Sequence, residues 1–184
     1  ECRLPDVDLT IFDNFEISGD QHLPGFNDAS VVSFMSVNNN FRHFPTTSIS
    51  RFPNLRHIKV SGSLIYQLLD GAVANRQGLE TLSLSNNLID SIDPRAFTGT
   101  TNIREFNMMF NRLRNLDPAV FNMLPQLLVL DLSLNLLERI PASIFINNPA
   151  LSSLNLNANR IVFVNQTFFD SILNLTTLQF NANL

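Results

Sequence analysis

Leu79-Glu80-Thr81-Leu82-Ser83-Leu84-Ser85-Asn86-Asn87 places apolar side chains at its first, fourth and sixth positions and an asparagine at its ninth. The same frame, L-x-x-L-x-L-x-x-N, begins at Val31, Leu55, Leu79, Ile103, Leu127, Leu151 and Leu175, each start falling 24 residues after the last. It runs from Val31 to the chain end without insertion or deletion. Around the fourth and sixth positions apolar and polar residues alternate, which predicts a short strand with alternate side chains on opposite faces. Leu82 and Leu84 are expected to point inward, and Thr81, Ser83 and Ser85 outward. Strands repeated at a fixed period stack about 4.8 Å apart into one parallel sheet.

A fixed period of 20–29 residues with this pattern is the signature of a leucine-rich repeat solenoid. The expected fold is a parallel β-sheet on the concave face with short helical or irregular convex segments. Residues 31–184 form the array, seven repeats with the last incomplete. Residues 1–30 lack the frame. Val7, Leu9 and Ile11 alternate there, ahead of a stretch containing Gly19 and Gly25, as in an N-terminal cap. The ninth position holds Asn39, Asn87, Asn111, Asn135, Asn159 and Asn183. There the chain leaves the sheet, and its buried amides need partners. An asparagine side chain both donates and accepts, so stacked asparagines are expected to bond the turns above and below. Ser63 replaces asparagine in the second repeat, and that turn should be less well held. Eighteen residues after each start stand Ile49, Val73, Phe97, Phe121, Phe145 and Phe169, which predicts an inner aromatic stack on the convex side.

Composition removes several function classes. The 184 residues are 45% hydrophobic, enough to bury a core, and carry a net charge of −4 with Lys59 as the only lysine. This is not the basic footprint of a nucleic-acid binder. No apolar run reaches the roughly 18 residues of a membrane span. The chain opens at Glu1-Cys2 without a signal peptide, as a processed product would. Cys2 is the single cysteine. It is either an exposed thiol, half of a disulfide whose partner is absent, or a bridge to another chain. Asn165-Gln166-Thr167 and Asn174-Leu175-Thr176 are acceptor sequences for glycosylation. A chain so rich in asparagine would contain a few by chance, so they mark candidate sites and do not prove secretion. The last frame ends at Asn183 with no polar cap after it. Such an edge is normally covered, which points to a longer natural chain, or else to another molecule packed there.

Function must come from outward-facing positions. The concave columns read Ser33, His57, Thr81, Glu105, Val129, Ser153, Thr177; then Met35, Lys59, Ser83, Asn107, Asp131, Asn155, Gln179; then Val37, Ser61, Ser85, Met109, Ser133, Asn157, Asn181. Most entries are small and polar. Met109 and Phe110, with Val129 and Leu134 in the next repeat, form an apolar cluster of the kind that marks protein contacts. Arg104 and Glu105 stand at its rim. The competing reading is that Phe110 and Leu134 pack locally under the adjacent turn. Arg56, Glu80 and Arg104 share the second frame position and are expected to form a charge ladder. Catalysis is not expected. His22, His43 and His57 are scattered, and His57 and Asp131 stand three strands apart, roughly 14 Å. No metal spacing or phosphate loop occurs, so no cofactor and no small-molecule substrate is expected.

Three stretches carry a family resemblance: Cys2-Arg3-Leu4-Pro5-Asp6-Val7; Asp117-Pro118-Ala119-Val120-Phe121; and Ile140-Pro141-Ala142-Ser143-Ile144-Phe145 followed by Asn148-Pro149-Ala150-Leu151. They resemble the extracellular leucine-rich repeats of animal innate immunity, Toll-like receptor ectodomains included. Within that group they look most like the leucine-rich immune proteins of mosquitoes that engage complement-like thioester proteins. The resemblance implies a secreted, extracellular protein that binds an immune effector protein. It implies that Cys2 is one cysteine of a cap pair. It also implies dimerisation, if any, through regions absent from this chain. The alternative is the ectodomain of a membrane receptor or adhesion protein.

Overall fold

The computed structural model describes residues 31–184. The N-terminal cap, Cys2 and His22 lie outside the described residues. Strands β1 (Ser33–Val37) and β2 (His57–Ser61) open the array, with helix α1 (Thr46–Ser50) between them. Two short strands, β3 (Gln67–Leu68) and β5 (Ser91–Ile92), lie on either side of β4 (Thr81–Ser83). Then come β6 (Glu105–Asn107), β7 (Val129–Asp131), β8 (Ser153–Asn155) and β9 (Thr177–Gln179). One seven-stranded sheet has the order β1-β2-β4-β6-β7-β8-β9, and β3 pairs with β5 in a second sheet. Every pairing is parallel, and each residue faces its counterpart one period on, as His57 faces Thr81 and Glu105 faces Val129. The solenoid expected from the 24-residue period is therefore the observed fold.

The first, fourth and sixth frame positions fill the core. Leu79, Leu82 and Leu84 are buried, as are Leu127, Leu130 and Leu132. Burying each such side chain contributes about 1.5–3 kcal/mol. The ninth-position asparagines close each turn. Asn135 Nδ2 donates to the Leu132 carbonyl of its own turn at 3.1 Å and to the Met108 carbonyl of the preceding turn at 3.0 Å. Its Oδ1 accepts from the Leu113 N–H at 3.0 Å. Asn111, Asn159 and Asn183 repeat these three bonds. The ladder is thus one-directional. Each of these four asparagines bonds its own turn and the turn before it. The expectation of bonds to turns both above and below is corrected accordingly.

The weak turn at Ser63 is visible. Ser63 Oγ is buried with no hydrogen-bond partner, and so is Asn87 Oδ1. The bond from the Ile65 N–H that the repeat would supply to Asn87 is not formed. In the first turn Ser36 occupies a leucine position and is buried, and the Asn39 Nδ2 donates to its hydroxyl at 2.6 Å.

Two other expectations change. Ser85 is buried, with Ser61 and Ser133, so three members of the third concave column leave the surface, while Val37 and Asn181 stay exposed. The backbone rolls into a turn at that point and tucks the small side chain under it. The convex aromatic stack runs through Phe97, Phe121 and Phe145, but in the sixth position of the series Phe168 replaces Phe169. The segment Gln166–Ser171 is a 3-10 turn, capped by Asn165 Oδ1 accepting from the Thr167 N–H. That winding rotates Phe168 inward against Phe145, at a ring separation of 5.8 Å, and leaves Phe169 48% exposed. Phe106 joins the stack from the strand side, 5.4 Å from Phe97 and 6.4 Å from Phe121. Burial lowers the Arg76 guanidinium from its ordinary value, and its Nη1 donates to the Phe52 carbonyl at 3.3 Å.

Candidate partner-binding surface

The eighth frame position controls what the array displays. Its N–H donates to the seventh-position carbonyl of the next turn: Asn86 to Met109, Phe110 to Ser133, Leu134 to Asn157, at 2.9–3.0 Å. Forming that bond holds the residue in the left-handed region. Asn38, Gly62, Asn86, Phe110, Leu134, Ala158 and Ala182 all have φ between 53° and 65°. Glycine and asparagine accept this conformation readily. For Phe110 and Leu134 it costs roughly 1–2 kcal/mol each. Both side chains are nevertheless exposed, 56% for Phe110 and 43% for Leu134, and they sit on consecutive turns. Neither is fully buried under the neighbouring turn. Two bulky apolar side chains are therefore held in a strained conformation while about half exposed.

The other cluster members divide. Met109 is half-buried, and its N–H is held by Asn107 Oδ1 at 2.9 Å. It flanks Phe110 at the edge where the chain leaves the sheet. Val129 and Glu105 face each other across β6 and β7, with Arg104 beside them. They stand at the entering ends of the strands, roughly 10–15 Å along the chain from Leu134. The six residues make two groups, not one. The charge ladder forms only between Arg56 and Glu80, at 3.3 Å, and does not extend to Arg104.

Sequence reasoning overlooked the cations around Phe110 and Leu134. Arg112 and Arg160 are exposed at the tenth position of their repeats, just past the turn where the chain leaves the sheet, and Arg114 and Arg139 are exposed two and three positions beyond that column. Backbone bonds from Arg112 to Ile89, Leu136 to Leu113 and Arg160 to Leu137 put residues 112, 136 and 160 on consecutive rungs. The signal was available: position ten of successive repeats reads Arg112, Leu136, Arg160.

The concave face is polar in its second half. Asp131 Oδ1 accepts from the Ser133 N–H and hydroxyl at 2.8 and 2.6 Å, and its Oδ2 accepts from Asn155 Nδ2 at 3.2 Å. In its first half a shallow hollow of about 390 Å³ is lined by Met35, His57, Lys59, Thr81, Ser83 and Glu105, among others. His57 Nδ1 and Thr81 Oγ1 lie 2.7 Å apart. His43 packs edge-on against Tyr66 at 5.1 Å, in a different part of the array. No group of three His, Cys, Asp or Glu side chains able to hold a metal occurs among the described residues. No helix among them is long and apolar enough to cross a membrane. Asn165 and Asn174 are both exposed.

The family model for Leucine rich repeat matches residues 53–113 and 101–161, together more than half of the chain. No curated protein matches the chain. Among solved structures, the chain is similar to TLR13 in its complex with ssRNA13, with 26% identity and a TM-score of 0.80 over 84% of this chain and 22% of that one. It is also similar to a component of the Drosophila Toll–Spatzle complex, described as a hub in development and innate immunity. There the identity is 22% and the TM-score 0.69 over 84% of this chain and 24% of that one, and this likeness concerns the fold alone. The chain spans less than a quarter of the length of either solved chain.

Proposed function

The chain belongs to the leucine-rich repeat family, and on that premise we propose that it is a protein-binding module of innate immunity, secreted into body fluid. Its proposed partner is an immune effector protein such as a complement-like thioester protein. The observation that carries this reading is the pair Phe110 and Leu134, exposed on consecutive turns in a left-handed conformation that costs stability. Strain retained at exposed apolar side chains is a mark of a contact surface. Met109 flanks the pair, while Val129, Arg104 and Glu105 form a second, lesser contact on the concave side. Asn165 and Asn174 are the proposed glycan sites, and Cys2 the proposed disulfide position.

Passing native body fluid over the immobilised chain, with mass spectrometry of what is retained, tests the reading. An effector protein is expected. Retention of no protein overturns it. The double substitution Met109→Ser/Phe110→Ser is expected to weaken retention while leaving the melting temperature little changed.

A second reading has support from the likeness to TLR13: the ectodomain of a membrane receptor. The sequence of the full-length protein separates the two. A transmembrane run favours the receptor, and heptads with cysteines favour the secreted protein.

A further inference from the structure

We infer that the flank where the chain leaves the sheet, between the fourth and sixth turns, binds an acidic polypeptide segment that carries a large apolar side chain. This deepens the partner-binding reading above and rests on it. The whole chain is acidic, at −4, yet Arg112 and Arg160 stand exposed at the tenth positions of the fourth and sixth turns, with Arg114 and Arg139 exposed two and three positions beyond that column. Among the described residues only Arg114 of the four has an acidic partner, Glu138 at 3.9 Å. Arg112, Arg139 and Arg160 make no ion pair there. Arg112 and Arg160 lie two rungs apart, roughly 10 Å, with Leu136 between them. An extended segment rises about 3.3 Å per residue, so carboxylates three residues apart match that spacing.

The apolar half of the site is Phe110 and Leu134, two residues before Arg112 and Leu136 on the same rungs. Both adopt the left-handed conformation and stay about half exposed. The parallel bridge between Arg139 and Phe163 extends the same mixture toward the sixth turn, where Phe163 is exposed. Arginine beside an exposed aromatic is the composition of protein-contact hot spots. Guanidinium groups recognise carboxylates through paired donors, and nearby apolar surface strengthens that attraction by excluding water. The flank of the first three turns offers a contrast, since its eighth positions are Asn38, Gly62 and Asn86.

The test uses fluorescence anisotropy with three labelled probes: a random copolymer of glutamate and tyrosine, polyglutamate, and single-stranded oligouridylate. The chain is expected to bind the copolymer more tightly than polyglutamate, and less tightly as salt is raised. Arg112→Glu/Arg160→Glu should weaken copolymer binding roughly tenfold or more. Phe110→Asn should remove the preference for the copolymer over polyglutamate. Arg42→Glu, on the same flank at the first turn, should leave binding unchanged. Copolymer binding that is undiminished in the double arginine variant, or equally diminished by Arg42→Glu, overturns the inference. So does oligouridylate binding that matches or exceeds the copolymer, which would make the flank a nucleic-acid surface. If the double arginine variant still retains the effector from body fluid, the inference fails and the partner-binding reading stands. If the unsubstituted chain retains nothing, that reading fails first.

Discussion

Leu134 has φ of 54° because its N–H must reach the Asn157 carbonyl, 2.9 Å away, and leucine has no preference of its own for that conformation. Replacing it with asparagine keeps the backbone bond and relieves most of the steric conflict. Leu134→Asn is expected to raise stability by about 1 kcal/mol, measured by denaturant unfolding. A loss of stability would mean that the side chain is held by core contacts. Its neighbour behaves oppositely. Asn135 satisfies two buried carbonyls and one buried N–H. Asn135→Ala would orphan the Leu113 N–H and leave the Met108 and Leu132 carbonyls with one donor each, Asn111 and Asn159, and is expected to cost roughly 1–3 kcal/mol, read in the same experiment. The sequence carried a signal for the left-handed position. Asn38, Gly62 and Asn86 occupy it in the first three turns, and these residue types favour that geometry. A strict period then assigns the conformation to Phe110 and Leu134. What the letters do not show is that the preceding Ser61, Ser85 and Ser133 are buried, while Val37 at the same frame position is exposed.

At the scale of elements, each turn is closed by a device that the period repeats. Where the device changes, the structure records a deficit. Ser63 leaves two buried oxygens without partners, its own Oγ and Asn87 Oδ1. Ser63→Asn restores the side chain used in the later turns and is expected to add about 1 kcal/mol, seen as a higher unfolding midpoint. No gain would mean that this turn cannot accept the asparagine geometry. The aromatic stack gives the converse case. Phe106 links the strand layer to the convex layer through Phe97 and Phe121. Phe106→Ala is expected to cost about 3–5 kcal/mol, by the same measurement. Periodicity identified the inner column but not its change of register at Phe168. A 3-10 turn has a different residue angle from the preceding convex segments, and that local winding is not encoded in the frame.

Across the whole molecule, each turn bonds mainly to its neighbours, so stability is close to a sum of turn and interface contributions. The fold was therefore almost fully legible from spacing. Every strand of the main sheet sits where the frame puts it. The candidate site was less legible, because it depends on which flank a position faces once the solenoid closes. Linear proximity grouped Val129 with Leu134, yet the strand register puts Val129 opposite Glu105. The same closure brings Arg112 and Arg160 to the flank that Phe110 and Leu134 occupy. The account's central claim is that strained side chains on this flank serve binding at the expense of stability. Its most direct test is the double variant Phe110→Asn/Leu134→Asn, followed by calorimetric unfolding and by affinity for the effector retained from body fluid. The account predicts a higher melting temperature together with a fall in affinity of roughly tenfold or more. Unchanged affinity, or a lower melting temperature, would contradict it.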